Sequence, residues 1–104
     1  MAVGCIRLLF RVVDRAETGY DVPLQIGFAP GRNVRTGVDR TRVRRLLREG
    51  YRLNQHLLTD RFRDRDDALI VMALFRGRSR AEAEACIEHD LPRALQRCAD
   101  RFES

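Results

Sequence analysis

Between Ala68 and Phe75 the chain reads Ala-Leu-Ile-Val-Met-Ala-Leu-Phe, an unbroken apolar run with charged residues on both sides. A run this short does not cross a bilayer and offers water no polar side, so it predicts a central strand covered on both faces. A short buried helix has the same composition; the β-branched Ile70 and Val71 favour the strand.

The other elements arrange themselves around that strand. Over Val3–Val13, Ile6, Leu8, Phe10 and Val12 alternate with Cys5, Arg7, Leu9, Arg11 and Val13, which predicts a first strand with one apolar and one mixed face. Arg7 and Arg11 share a face and point either at carboxylates of a neighbouring strand or into a basic patch. Thr18-Gly19 makes a turn, and Tyr20, Val22, Leu24, Ile26 and Phe28 alternate with polar or small residues in a second strand, expected to return antiparallel to the first as a hairpin. Pro23 lacks a donor and puts this strand at an edge or delays its start, and Gly27 marks a bulge or a close approach. Pro30-Gly31 turns the chain, leaving Val34–Val38 as a loop or a short third strand.

Asp39 is the expected N-cap of a helix reaching to about Leu58. Val43, Leu46, Leu47, Gly50, Leu53, Asn54, Leu57 and Leu58 fall on one side of it, with Arg45, Arg48 and Arg52 opposite. Gly50 and Asn54 interrupt the apolar stripe one turn apart, which predicts a close helix crossing, including one across a dimer interface, or a ligand cleft. Asp60–Asp67 alternates in charge and reads as a solvated connection anchored by Phe62. Its acids lack the spacing of a calcium loop and lie beside Arg63 and Arg65, so no metal is assigned. Ser79 and Glu82 form a capping box for a last helix whose stripe is Ala83, Ile87, Leu91, Ala94, Leu95, Cys98 and Phe102. Pro92 lies nearly opposite that stripe, as a solvent-side kink or the start of a further helix capped by Asp90.

These elements give an α/β (α+β) fold, a small two-layer sandwich: a mainly antiparallel sheet of three or four strands with two helices packed on it, in the order β-β-(β)-α-β-α, as one domain over residues 1–104. A chain of 104 residues buries a modest core, so pairing with a second copy adds useful burial and a homodimer is expected. Neither a membrane span nor a secretory signal is indicated, and a cytoplasmic location follows. Cys5, Cys86 and Cys98 have no paired-ligand spacing; they fit a reducing compartment, with Cys5 and Cys98 as small core residues and no disulfide framework. The net charge is +5 and all twenty basic residues are arginine. The lack of lysine suits a coding bias, so the arginine count alone does not require a nucleic-acid partner.

Two arginine groups are candidate sites. Arg32, Asn33, Arg35, Thr36 and Arg40 combine fork-shaped donors with a helix start in an anion- or ligand-binding loop, although the lysine and glycine spacing of a P-loop are missing. Arg42, Arg45, Arg48 and Arg52 form a helical face that phosphates can track, as a nucleic-acid surface. His89 lies three residues from Cys86, two soft ligands for which a metal site needs more from elsewhere, and His56 falls on an exposed helix face. Tyr20, Tyr51 and Arg35 are residues that a cleft would have to bring together. With no complete catalytic set and no cofactor expected, the leading reading is a non-enzymatic binding or assembly protein, a homodimer that contacts a protein partner or regulatory ligand, with Gly50 and Asn54 as the candidate interface. RNA or DNA binding through the arginine-rich loop and helix is the alternative, and a small enzyme for an anionic metabolite held by Arg32 and Arg35 is the third.

Overall fold

A computed structural model describes residues 1–18, 22–77 and 80–102. Its elements are β1 (Ala2–Val3), β2 (Ile6–Asp14), a short 3-10 turn (Arg15–Thr18), β3 (Leu24–Ala29), α1 (Gly37–Asn54), α2 (His56–Phe62), β4 (Asp67–Phe75) and α3 (Arg80–Asp100). The Thr18-Gly19 turn, the expected strand start at Tyr20 and the Ser79 cap fall wholly or partly outside the described residues. The two-layer α+β class holds, with three helices in place of two.

The apolar run is the central strand. β4 pairs antiparallel with β2, from Ile6↔Phe75 to Asp14↔Asp67, and parallel with β3, from Leu24↔Leu69 to Ala29↔Leu74. The sheet order is therefore β1-β2-β4-β3, and the expected β2–β3 hairpin is not formed. Alternation fixes the face a residue takes but not the strand beside it, and β4 offers a hydrogen-bonding edge to each neighbour. β3 lies at the sheet edge, where Pro23 suits it: the proline carbonyl accepts from Leu69 N at 3.0 Å while its missing donor falls before the strand.

Helices cover one face of β4, not two. Leu69, Val71, Ala73 and Phe75 point into the core with Ile6 and Leu8, against Val43, Leu47, Leu58, Phe62, Ile87, Leu91 and Leu95. On the other face Met72 is 40% exposed and its partner Leu9 46%.

The first predicted strand is split. Gly4, at φ +56°, turns β1 back onto β2, and Asp90 Oδ2 on α3 accepts from Cys5 N at 3.0 Å. A Cβ on Gly4 would collide with that carboxylate, so the glycine is required by both backbone and contact. Cys5 and Cys86 are joined as a disulfide, their Cα atoms 6.3 Å apart across a sequence separation of 81. This corrects the expectation of unpaired cysteines: sequence spacing does not show that α3 packs onto the β1–β2 turn. Cys98 is the buried free thiol, its pKa pushed up to about 11 by burial.

α1 begins earlier than expected and ends earlier. Thr36, in extended conformation, is the N-cap, its Oγ1 accepting from Asp39 N at 3.1 Å, so Asp39 is a first-turn acid instead of the cap. Val34–Val38 is accordingly not a strand. The helix breaks at Gln55, whose carbonyl accepts from both Leu58 N and Thr59 N, and α2 continues to a fully buried Phe62. Leu53, expected in the stripe, is 63% exposed, while Leu58 reaches the core from α2. Arg15 Nη2 donates to the Phe62 and Arg63 carbonyls, satisfying the end of α2. α3 is one helix with Pro92 inside it, so no second helix starts there.

The close crossing predicted by Gly50 is internal: a Cβ there would lie 2.8 Å from Leu91 Cδ2 and 3.6 Å from Ile87 Cγ2 on α3. Asn54 Nδ2 donates back to Gly50 O at 2.8 Å. Gly50→Val should therefore cost about 1–3 kcal/mol in urea unfolding through overpacking against a fully buried Leu91; an unchanged midpoint would contradict this crossing. Asp90 is 7% exposed, and its carboxyl is held below the ordinary carboxylate value by the Cys5 amide, then by His89 and Arg93. A depressed folded-state pKa adds stability that is complete above the unfolded value of 3.8 and is lost as pH falls through the lower folded value. Asp90→Asn should lower stability at pH 7 by about 1–2 kcal/mol, and the gap to the wild type should close below pH 3.8; a pH-independent gap would contradict the assignment.

Candidate nucleic-acid interface

The face of the sheet left bare by the helices carries the first set of cations. Arg7 and Arg11 on β2 stand opposite Leu74 and Ile70, not carboxylates, and among the described residues neither makes an ion pair. Of the two expectations for this pair, the basic patch is the one the register gives. Beside them runs a shallow groove of about 660 Å³ lined by Leu9, Arg11, Gln25, Gly27, Ile70 and Met72. A Cβ on Gly27 would meet Met72 Cε at 2.9 Å, so the glycine marks close approach by a side chain from β4.

At one end of this face, Arg7, Arg32, Asn33 and Arg76 line a cavity of about 580 Å³. Three arginines thus line it from β2, from the β3–α1 loop and from the residue after β4. Gly31, at φ +83°, sets the loop close to the Phe75 carbonyl, where any Cβ would clash.

The other loop candidates have separate places. Arg40 turns back, its Nη1 donating to Gly31 O at 2.7 Å and Val34 O at 2.9 Å, so it shapes the loop. Thr36 is occupied as the helix cap, and Arg35 is exposed. Tyr51 packs its ring 5.9 Å from Phe28, which raises its pKa by burial, while Tyr20 lies outside the described residues.

On α1, Arg45 and Arg48 are exposed and make no ion pair among the described residues. Arg42 sits 3.6 Å from Glu84 of α3, and Arg52 is engaged by Glu49 through two hydrogen bonds of 3.1 and 2.6 Å. That fork holds the Glu49 carboxyl below its ordinary value. The four candidate arginines of this helix face are therefore unequal, with Arg45 and Arg48 the better placed for a phosphate. Val38, 72% exposed, lies with Thr41, Arg42 and Arg45 around a shallow depression at the start of the helix.

Sequence reasoning missed Arg76 and the joining of Arg7 to Arg32. The shared face of Arg7 and Arg11 was a usable signal; the meeting of three distant segments left none, because it depends on strand order. His56 is exposed on α2, and Asp67 is held by the Arg65 fork at 2.7 and 2.9 Å, which lowers its pKa.

The family profile described as Ribonuclease P matches residues 4–99. The ribonuclease P protein component of Chlorobaculum tepidum is 28% identical over 118 aligned positions, covering 96% of this chain and 75% of that relative. A Porphyromonas gingivalis ribonuclease P protein component is 40% identical over 60 positions, covering 58% of this chain and 42% of the relative. No solved structure matches the chain. With the family profile running from Gly4 in the first turn to Ala99 near the end of α3, the chain belongs to the ribonuclease P family.

Proposed function

We propose that this chain is an RNA-binding protein component of a ribonuclease P, holding RNA through the bare face of its sheet and the outer arginines of α1. A ribonuclease has RNA as its substrate, and relatives named as its protein component imply a further component to assemble with. The observation that carries the reading is the convergence of Arg7, Arg32 and Arg76 at the end of an uncovered sheet face already bearing Arg11. Side chains that have no carboxylate partner among the described residues are available to phosphates, and their spread over three segments suits a backbone-tracking surface.

Gly50 packs against α3 and Asn54 Nδ2 donates to Gly50 O, so neither position calls for a second copy, and nothing here supports a homodimer built on them. The groove itself is floored by Leu9, Ile70 and Met72, while Phe10 turns to the other face and meets the Phe102 ring at 6.0 Å. Phosphate charge, more than base stacking, then supplies the affinity, with steep salt dependence and weak sequence preference.

Each lost phosphate contact lowers the slope of log affinity against log salt by about 0.7–0.9. In filter binding to a folded RNA, Arg7→Gln with Arg76→Gln should reduce the slope by about 1.5, and Arg45→Gln with Arg48→Gln should reduce it comparably. Arg52→Gln should change little, because Glu49 already engages that side chain. An unchanged slope in both double variants, or a loss in Arg52→Gln equal to theirs, would overturn the proposal.

A further inference from the structure

The Cys5 and Cys86 sulfurs and an Asp90 carboxylate oxygen lie within 4.8 Å of one another, half-buried to buried, on the side of the molecule held by the β1–β2 turn and α3. From this cluster we propose that the reduced chain carries a divalent-metal site of the zinc class, ligated by the Cys5 and Cys86 thiolates and Asp90.

Cys86 and Asp90 are one helical turn apart on the same side of α3, and Cys5 is brought against them by the turn at Gly4. Asp90 Oδ2 already faces both cysteines, accepting from Cys5 N at 3.0 Å and lying 3.1 Å from Cys86 Sγ. With zinc–sulfur bonds of about 2.3 Å, a tetrahedral ion needs its sulfurs about 3.8 Å apart. Cα atoms 6.3 Å apart allow that separation once the bond between the sulfurs is opened. His89 Nδ1 is 2.7 Å from Asp90 Oδ1, and Arg93 Nη1 is 3.5 Å from the same oxygen. The second carboxylate oxygen is therefore held by neighbours in the manner of an outer partner to a metal ligand, leaving the fourth metal position to water. Two thiolates and a carboxylate exceed the charge of a divalent ion by one, and Arg93 offsets that excess. Two thiolates select a soft or borderline ion over magnesium or calcium.

The disulfide and the metal site are alternatives. A dithiol reductant gives two electrons and two protons to the Cys5–Cys86 bond, yielding two thiols and its own disulfide. Binding of the metal then releases the two thiol protons. The occupied site would tie the first turn of the chain to its last helix.

The test is titration of the full chain with Co²⁺ after reduction and removal of the reductant, followed by displacement with Zn²⁺. One equivalent per chain should produce a thiolate-to-cobalt charge-transfer band and tetrahedral visible bands, both abolished by Zn²⁺. Cys5→Ser and Cys86→Ser should each abolish the charge-transfer intensity or cut affinity more than 100-fold. Asp90→Asn, which keeps an oxygen acceptor for Cys5 N, should weaken binding about 10-fold or more. Cys98→Ser should bind as the wild type does, and the oxidised chain should not bind. Circular dichroism on each variant separates lost ligation from lost folding, and if both cysteine variants unfold, the wild-type charge-transfer band decides alone. Absence of that band from the folded, reduced wild type, an undiminished band in a folded Cys5→Ser variant, or a disulfide that survives millimolar dithiothreitol in the folded chain would overturn the proposal.

Discussion

The two-sided pairing of β4 is the constraint on which the rest of the structure depends. Its backbone is bonded by β2 along one edge and β3 along the other, while Leu69, Val71, Ala73 and Phe75 lie under the helices. Fully burying an aliphatic or aromatic side chain of this kind is worth about 1.5–3 kcal/mol, so this one strand supplies a large share of what a small domain has to offset chain entropy. The parallel register with β3 in turn requires a long return path. α1 and α2 are that path, and their apolar sides close the core.

Because the crossover helices and α3 occupy the same side, no helix among the described residues covers the stretch of the opposite face around Leu9 and Met72. Arg7 and Arg11 are presented there without carboxylate partners among the described residues, and the loop after β3 delivers Arg32 to the same end of the sheet as Arg76. The arginines with internal duties are distinct: Arg40 shapes its loop, Arg15 closes α2, and Arg65 holds Asp67 while its guanidinium lies over the Phe62 and Phe102 rings. Basic charge on this chain is thus divided between groups that hold the fold and groups that make no ion pair among the described residues.

The sequence made the central strand, the edge position of β3, the stripe of α3 and the two-layer class legible, because each is written in local periodicity. It misplaced the helix cap by three residues, since Thr36 and Asp39 are both competent acceptors and only the loop fixed by Gly31 decides between them. Strand order was not legible, because alternation is indifferent to which neighbour pairs. The same ignorance hid the Arg7, Arg32 and Arg76 cavity and the approach of Cys5 to Cys86, both of which join segments far apart in the chain. Gly50 was read correctly as a close crossing, but its partner proved to be α3 of the same chain.

The most direct test of the account is a nuclear magnetic resonance titration of the full chain, labelled at leucine and methionine methyls and arginine side chains, with a folded RNA. RNA held on the bare sheet face should shift the Leu9 and Met72 methyls and the Arg7, Arg32 and Arg76 guanidinium signals together, at one common affinity. Shifts confined to Leu53 and the surface around Gly50 and Asn54, with Leu9, Met72 and Arg7 unmoved, would contradict it.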